Sequence, residues 1–113
     1  MSEKLLMAER LIAKQFNDAP RELKATVELA RNALSQGQKG LALKELRAAE
    51  KIVKEHKLAT DWQAELYAAW AFYHLHMNEE RAMYRAIRKA VKLEPQNKLI
   101  VELRQLLKKN DTD

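Results

Sequence analysis

Apolar residues recur at helical spacing along nearly the whole chain. The first segment places them on one helical face at Leu5, Ala8, Ile12 and Phe16. Met7 and Leu11 add apolar surface on its other side, which predicts that this helix contacts two surfaces. Over the full chain the pattern predicts six helices, spanning about residues 3–16, 20–36, 38–57, 60–77, 79–93 and 97–109. The sequence therefore predicts an all-α fold.

Residues that end or begin helices separate these segments. Gly37 and Asn78 tolerate the left-handed backbone that follows a helix, and Pro95 forces the preceding residue out of helical geometry. Thr60 and Gln63 have the spacing of a capping box, in which each side chain bonds a backbone N–H of the other. These signals predict short connections and therefore neighbouring helices that pack on each other.

A pair of helices occurs twice in the chain. The unit that begins at Leu23 aligns with the unit that begins at Ala64, at an offset of 41 positions. The aligned pairs include Leu29 and Trp70, Ala30 and Ala71, Gly37 and Asn78, Ala42 and Met83, Leu46 and Ile87, and Ala49 and Ala90. The length of 113 residues fits one domain. We expect an N-terminal helix (1–17), two repeated pairs (20–57 and 60–95) and a C-terminal capping helix (97–109).

The second helix pair resembles the tetratricopeptide repeat (TPR). The residues that carry the resemblance are Tyr67, Trp70, Ala71, Asn78, Ile87, Ala90 and Pro95. The chain departs from that pattern at His74 and Met83, and its offset of 41 exceeds the repeat length of about 34 residues. The resemblance implies a TPR-like fold of antiparallel helix hairpins, and a protein that binds other proteins as an adaptor, small chaperone or assembly subunit.

The resemblance also implies a concave groove lined by the first helix of each pair. By position, this predicted groove consists of Lys24, Val27, Arg31, Leu34, Phe72, Leu75 and His76. Its apolar strip suits a partner helix or an extended peptide. The alternative is that Phe72 and Leu75 belong to the core and are covered by the N-terminal helix. Val27 and Phe72 stand where the carboxylate-binding members of the family need Lys and Asn, so binding of peptide C-termini is not expected.

The positive charge of the chain is concentrated near its C-terminal end. Residues 79–109 hold nine Lys or Arg and four Glu, and this excess equals the net charge of +5 of the whole chain. One side of the fifth helix carries a basic ridge, defined as Arg81, Arg85, Arg88, Lys89 and Lys92. A solvated outer face is the simplest interpretation, because no aromatic residue is interleaved for base stacking. Contact with nucleic acid through the ridge is an alternative function.

Catalytic chemistry is not expected from this sequence. There is no Cys, and His74 and His76 are two positions apart, whereas a helical metal pair needs three or four. We therefore expect no cofactor, no metal, no enzyme activity and no membrane insertion, and a cytoplasmic location. Two repeats are fewer than the three or more that usually stack stably, so either the terminal helices complete the core or the protein forms a homodimer.

Overall fold

The computed structural model describes residues 2–111, which form six α-helices joined by short connections. The helices are α1 (Glu3–Gln15), α2 (Ala19–Ser35), α3 (Lys39–Glu55), α4 (Thr60–His76), α5 (Glu80–Leu93) and α6 (Lys98–Asp111). The predicted fold class and number of helices are confirmed, because each predicted boundary lies within two residues of the observed one. The periodic pattern thus located every helix.

A left-handed residue follows each of the first four helices. The φ angles are 54° at Asn17, 74° at Gly37, 48° at Lys57 and 57° at Asn78. The predicted helix ends at Gly37 and Asn78 are confirmed. Lys57 was not predicted, because lysine has no local preference for this geometry; the backbone N–H of the next residue, Leu58, donates to the carbonyl oxygen of Val53, 3.1 Å away.

The predicted capping box at the start of α4 is wrong. Thr60 is already helical, and Ala59 occupies the capping position without a side-chain hydrogen bond. The Gln63 side chain instead turns towards the preceding connection, where its Nε2 donates to the carbonyl oxygen of Leu58 at 3.0 Å. The spacing of Thr60 and Gln63 is that of a capping box, but α4 begins at Thr60 itself, one residue earlier than a capping box requires.

The helices pack as a stack in chain order. The closest packing is between α4 and α5, between α2 and α3, and between α1 and α2, while α4 also packs on α2 and α3. Alanines are buried throughout the stack, at positions that include Ala30, Ala42, Ala49, Ala68, Ala71 and Ala90. Their small side chains let the helix backbones approach closely. The largest fully buried side chains include Leu23, Val27, Leu46, Ile100 and Leu103.

Helix α6 closes the C-terminal end of the stack against α4 and α5. Its residues Leu99, Ile100 and Leu103 are buried. Asn97 caps the helix, since its Oδ1 accepts from the backbone N–H of Ile100 at 3.1 Å, and its Nδ2 donates to Oε1 of Glu65 on α4 at 2.9 Å. One asparagine therefore starts α6 and ties it to α4.

Candidate binding surfaces

The predicted groove is largely closed. Val27, Leu34 and Phe72 are only 0%, 5% and 4% exposed, so the expectation that they face a partner is wrong for these three side chains. Leu75 is half-buried against the core, Arg31 is partly exposed, and Lys24 and His76 are exposed. The structure thus leaves Lys24 and His76 open to solvent, and Arg31 and Leu75 partly so.

An ion pair between α2 and α6 covers the centre of this groove. The Arg31 guanidinium carbon lies 4.7 Å from the centre of the Phe72 ring, and the same guanidinium is paired with Glu102 of α6. Glu28 lies 3.5 Å from Arg31 on the same helix. Phe72 is therefore covered by Arg31 and α6. The N-terminal helix, which the alternative interpretation named as the cover, packs on α2 instead.

A shallow depression remains at one end of the groove, above Leu34 and Phe72. Its rim includes Asn32, Ser35, His76 and Leu106. The Nδ1–H of His76 donates to the carbonyl oxygen of Phe72, 2.9 Å away, which turns the imidazole back onto its own helix. The depression has too little exposed apolar surface to hold a partner helix along its length.

The outer surface of α1 is apolar. Leu5, Met7, Leu11, Ile12 and Phe16 are 61%, 50%, 57%, 39% and 75% exposed, and Ala8 lies exposed among them. We call these six residues the α1 face. At 100° per residue they cover about half of the helix circumference. The helical face that the sequence pattern predicts includes Leu5, Ala8, Ile12 and Phe16. In the structure this face points away from the stack.

Helix α1 is attached to the stack by its opposite side. Leu6 and Ala13, two helical turns apart, are buried against the stack. Arg10 Nη1 lies 2.7 Å from Oε1 of the buried Glu45 on α3. Leu6 and Ala13 form only a two-residue apolar pattern, which is weaker in the sequence than the longer apolar stripe that lies on the exposed side.

Helix α1 is also held by an ion pair with the start of α2. The guanidinium of Arg21 donates to the Glu9 carboxylate. This hydrogen bond, together with the charge of Glu9, raises the pKa of Arg21. This surface ion pair therefore links α1 to the start of α2 beside the α1 face.

The basic ridge lies on the exposed surface of α5. Arg81, Arg85, Arg88 and Lys92 are exposed, and no carboxylate among residues 2–109 lies within ion-pair distance of them. Lys89 differs, because its Nζ lies 5.4 Å from the ring centre of Tyr67 on α4. The ridge is therefore a row of four unpaired cations, with Lys89 turned to one side.

The prediction that no aromatic residue is interleaved with the basic ridge is wrong. Tyr84 is 41% exposed and forms a shallow surface with Glu80, Arg81, Arg85 and Arg88. It stands three positions after Arg81 and one before Arg85, so helical spacing was a sufficient signal to find it. A side chain that could stack on a base is therefore present beside the arginines.

The histidines do not form a metal site within the described residues. Nδ1 of His74 lies 2.9 Å from Oε1 of Glu79, and the His74 ring stacks against Trp70. Among residues 2–109, no group of three or more His, Asp and Glu side chains is placed to hold a metal ion. His74 thus has a local partner at the end of α4.

Comparison with known proteins finds no match: no protein-family model, no curated protein and no solved structure matches the sequence. Within the part of the chain that the structure describes, no helix has both the length and the apolar character needed to cross a bilayer. The surfaces of the chain itself are therefore the basis for proposing a function.

Proposed function

We propose that this chain is a non-catalytic protein-binding module, of the adaptor, small-chaperone or assembly-subunit kind. The observation that carries the proposal is the α1 face, where five large apolar side chains are between 39% and 75% exposed. Together they expose on the order of several hundred Å² of apolar surface, the size of patch that marks interaction sites on soluble proteins. The TPR-like pattern of the second helix pair supports the same class of function.

The position of the α1 face in the stack strengthens this proposal. Terminal helices of repeat proteins need a polar outer side to stay soluble on their own. Helix α6 meets this need at the other end, with Lys98, Arg104 and Lys108 exposed. Helix α1 instead presents apolar residues at its end of the stack. The partner expected on such a surface is the apolar side of another helix.

Ile12→Glu is expected to abolish partner capture without unfolding the protein. A photoreactive benzophenone amino acid at position 16 reports capture as covalent adducts formed in extract of the source cells. The substitution places an unpaired carboxylate inside the contact, which is costly once water is excluded. The matched control is Val101→Glu on α6, because Val101 is 40% exposed and Ile12 is 39% exposed. Adducts of equal yield in the two variants, with equal helical circular dichroism, would contradict the proposal.

We propose nucleic-acid binding through the basic ridge as a second candidate function. The observation that favours it is Tyr84, exposed beside Arg81, Arg85 and Arg88. Like charges three and four positions apart repel one another on a helix, so a bound phosphate chain would relieve this repulsion. An exposed aromatic ring beside such cations is the arrangement that single-stranded nucleic acid uses for stacking.

Tyr84→Ala is expected to weaken binding of a single-stranded oligonucleotide by about tenfold, given that stacking contributes about 1 to 3 kcal/mol per base. Arg85→Gln is expected to weaken binding and also to reduce its salt dependence, because one phosphate contact is lost. Fluorescence anisotropy at several salt concentrations measures both effects. Arg104→Gln, an exposed arginine on α6, is the control. Wild-type binding that is absent or insensitive to salt would remove this function.

A further inference from the structure

We propose that the α1 face binds the α1 face of a second copy of this chain, with the two helices antiparallel about a two-fold axis. This inference rests on the proposed function, because it identifies the partner of the same surface. Helix α1 has 13 residues and is therefore about 20 Å long. That length is sufficient for three to four side-chain layers between two helices.

The order of side chains along α1 is self-complementary when the helix is reversed. If Ala8 lies opposite the partner's Ile12, then Leu5 lies within one residue, about 1.5 Å along the helix axis, of the level of the partner's Phe16, and the two-fold axis repeats both contacts. Small Ala8 leaves room for the branched Ile12 side chain. All the residues concerned are exposed on the single chain. A foreign partner would not require this symmetry, whereas a second copy does.

Charge favours the antiparallel direction. Lys4 and Gln15 flank the α1 face at its two ends, so the reversed helix places Lys4 beside the partner's Gln15. A parallel pair would place Lys4 beside the partner's Lys4 and would align the two helix dipoles unfavourably. The other charged groups nearby, Glu9 and Arg10, already have partners within their own chain.

The size of the interface indicates a weak dimer. A stable complex usually buries about 800 Å² on each partner, and the α1 face offers less. The expected equilibrium is therefore reversible and in the micromolar range. Pairing would also join two short stacks into one assembly with four helix pairs, above the three or more repeats that usually stack stably.

Light-scattering chromatography over a range of concentrations tests the pairing. We expect a monomer–dimer equilibrium in the wild type. Ile12→Glu should raise its Kd by at least about tenfold, since two-fold symmetry places the charge in the interface twice. Val101→Glu should leave the Kd unchanged. A wild type that stays monomeric, or whose mass grows beyond a dimer, would overturn the proposal.

Cross-linking tests the direction of the two helices. The chain has no cysteine, so Lys4→Cys and Gln15→Cys variants with different tags provide single reactive sites. These positions are about 16 Å apart along the helix. A short bis-maleimide should link the first variant to the second and not to itself; the reverse result would overturn the antiparallel arrangement. If the wild type is monomeric but the photoreactive residue at position 16 still forms adducts with other proteins, only self-pairing is refuted. If neither adducts nor a dimer form, the protein-binding function is refuted as well.

Discussion

Deletion of residues 97–113 is expected to abolish the cooperative unfolding transition of this protein. The deletion removes the buried side chains Leu99, Ile100 and Leu103, and it exposes the surfaces of α4 and α5 that they cover. Full burial of one such side chain contributes about 1.5 to 3 kcal/mol, and domains of this size are stable by only about 5 to 15 kcal/mol. Loss of α6 thus removes a large part of the free energy of unfolding.

Urea denaturation followed by circular dichroism measures this effect. The control is a shorter truncation that ends at Lys109, which retains Asn97 and the three buried residues of α6. The control should unfold with a sigmoidal transition at nearly the wild-type midpoint. If the long deletion also kept a sigmoidal transition at that midpoint, α6 would not be part of the cooperative core.

Phe72→Ala is expected to lower the free energy of unfolding by about 3 to 5 kcal/mol. Phe72 is 4% exposed, and its removal leaves a cavity beneath Arg31 that the neighbouring helices cannot fill by collapse. The double substitution Phe72→Ser with Leu75→Ser should lower the free energy of unfolding more than Phe72→Ala does. It should also reduce helicity, because hydroxyl groups replace apolar contacts in the core. Chemical denaturation of each variant gives these values.

Leu106→Ala is the matched control for Phe72→Ala. Leu106 borders the same depression but is 43% exposed, so its truncation should change the free energy of unfolding by less than about 1 kcal/mol. Equal losses in the two variants would mean that Phe72 is not better packed than a surface leucine. In that case the original groove interpretation of Phe72 would stand.

The six helices were predictable because their signals are local. Apolar spacing depends on the 3.6-residue period of a helix, and the stops at Gly37 and Asn78 depend on each residue's own backbone preference. Helical spacing also predicts the inward position of Ala42, Ala49 and Ala90, and all three are buried. Lys57 shows the limit of such signals. Its left-handed backbone is imposed by the connection it completes and not by lysine itself.

The candidate surfaces were only partly predictable. The residues of the basic ridge were identified, and Tyr84 could have been added from its spacing. For the groove, position within the resembling repeat indicated the correct helix faces but not what covers them. The Arg31–Glu102 pair joins residues 71 positions apart, so no local pattern reveals it. The exposure of Phe72 therefore could not be inferred from α4 alone.

The sequence by itself determined the all-α fold, the limits of its helices and the location of its positive charge. Each of these follows from a period or a preference that acts within a few residues. Only the tertiary structure decided that α1 is buried through Leu6 and Ala13 while its longer apolar stripe stays exposed, and that α6 closes the groove. The reason is physical: an amphipathic helix lowers its free energy against any apolar surface, and the choice among surfaces depends on how distant segments pack together.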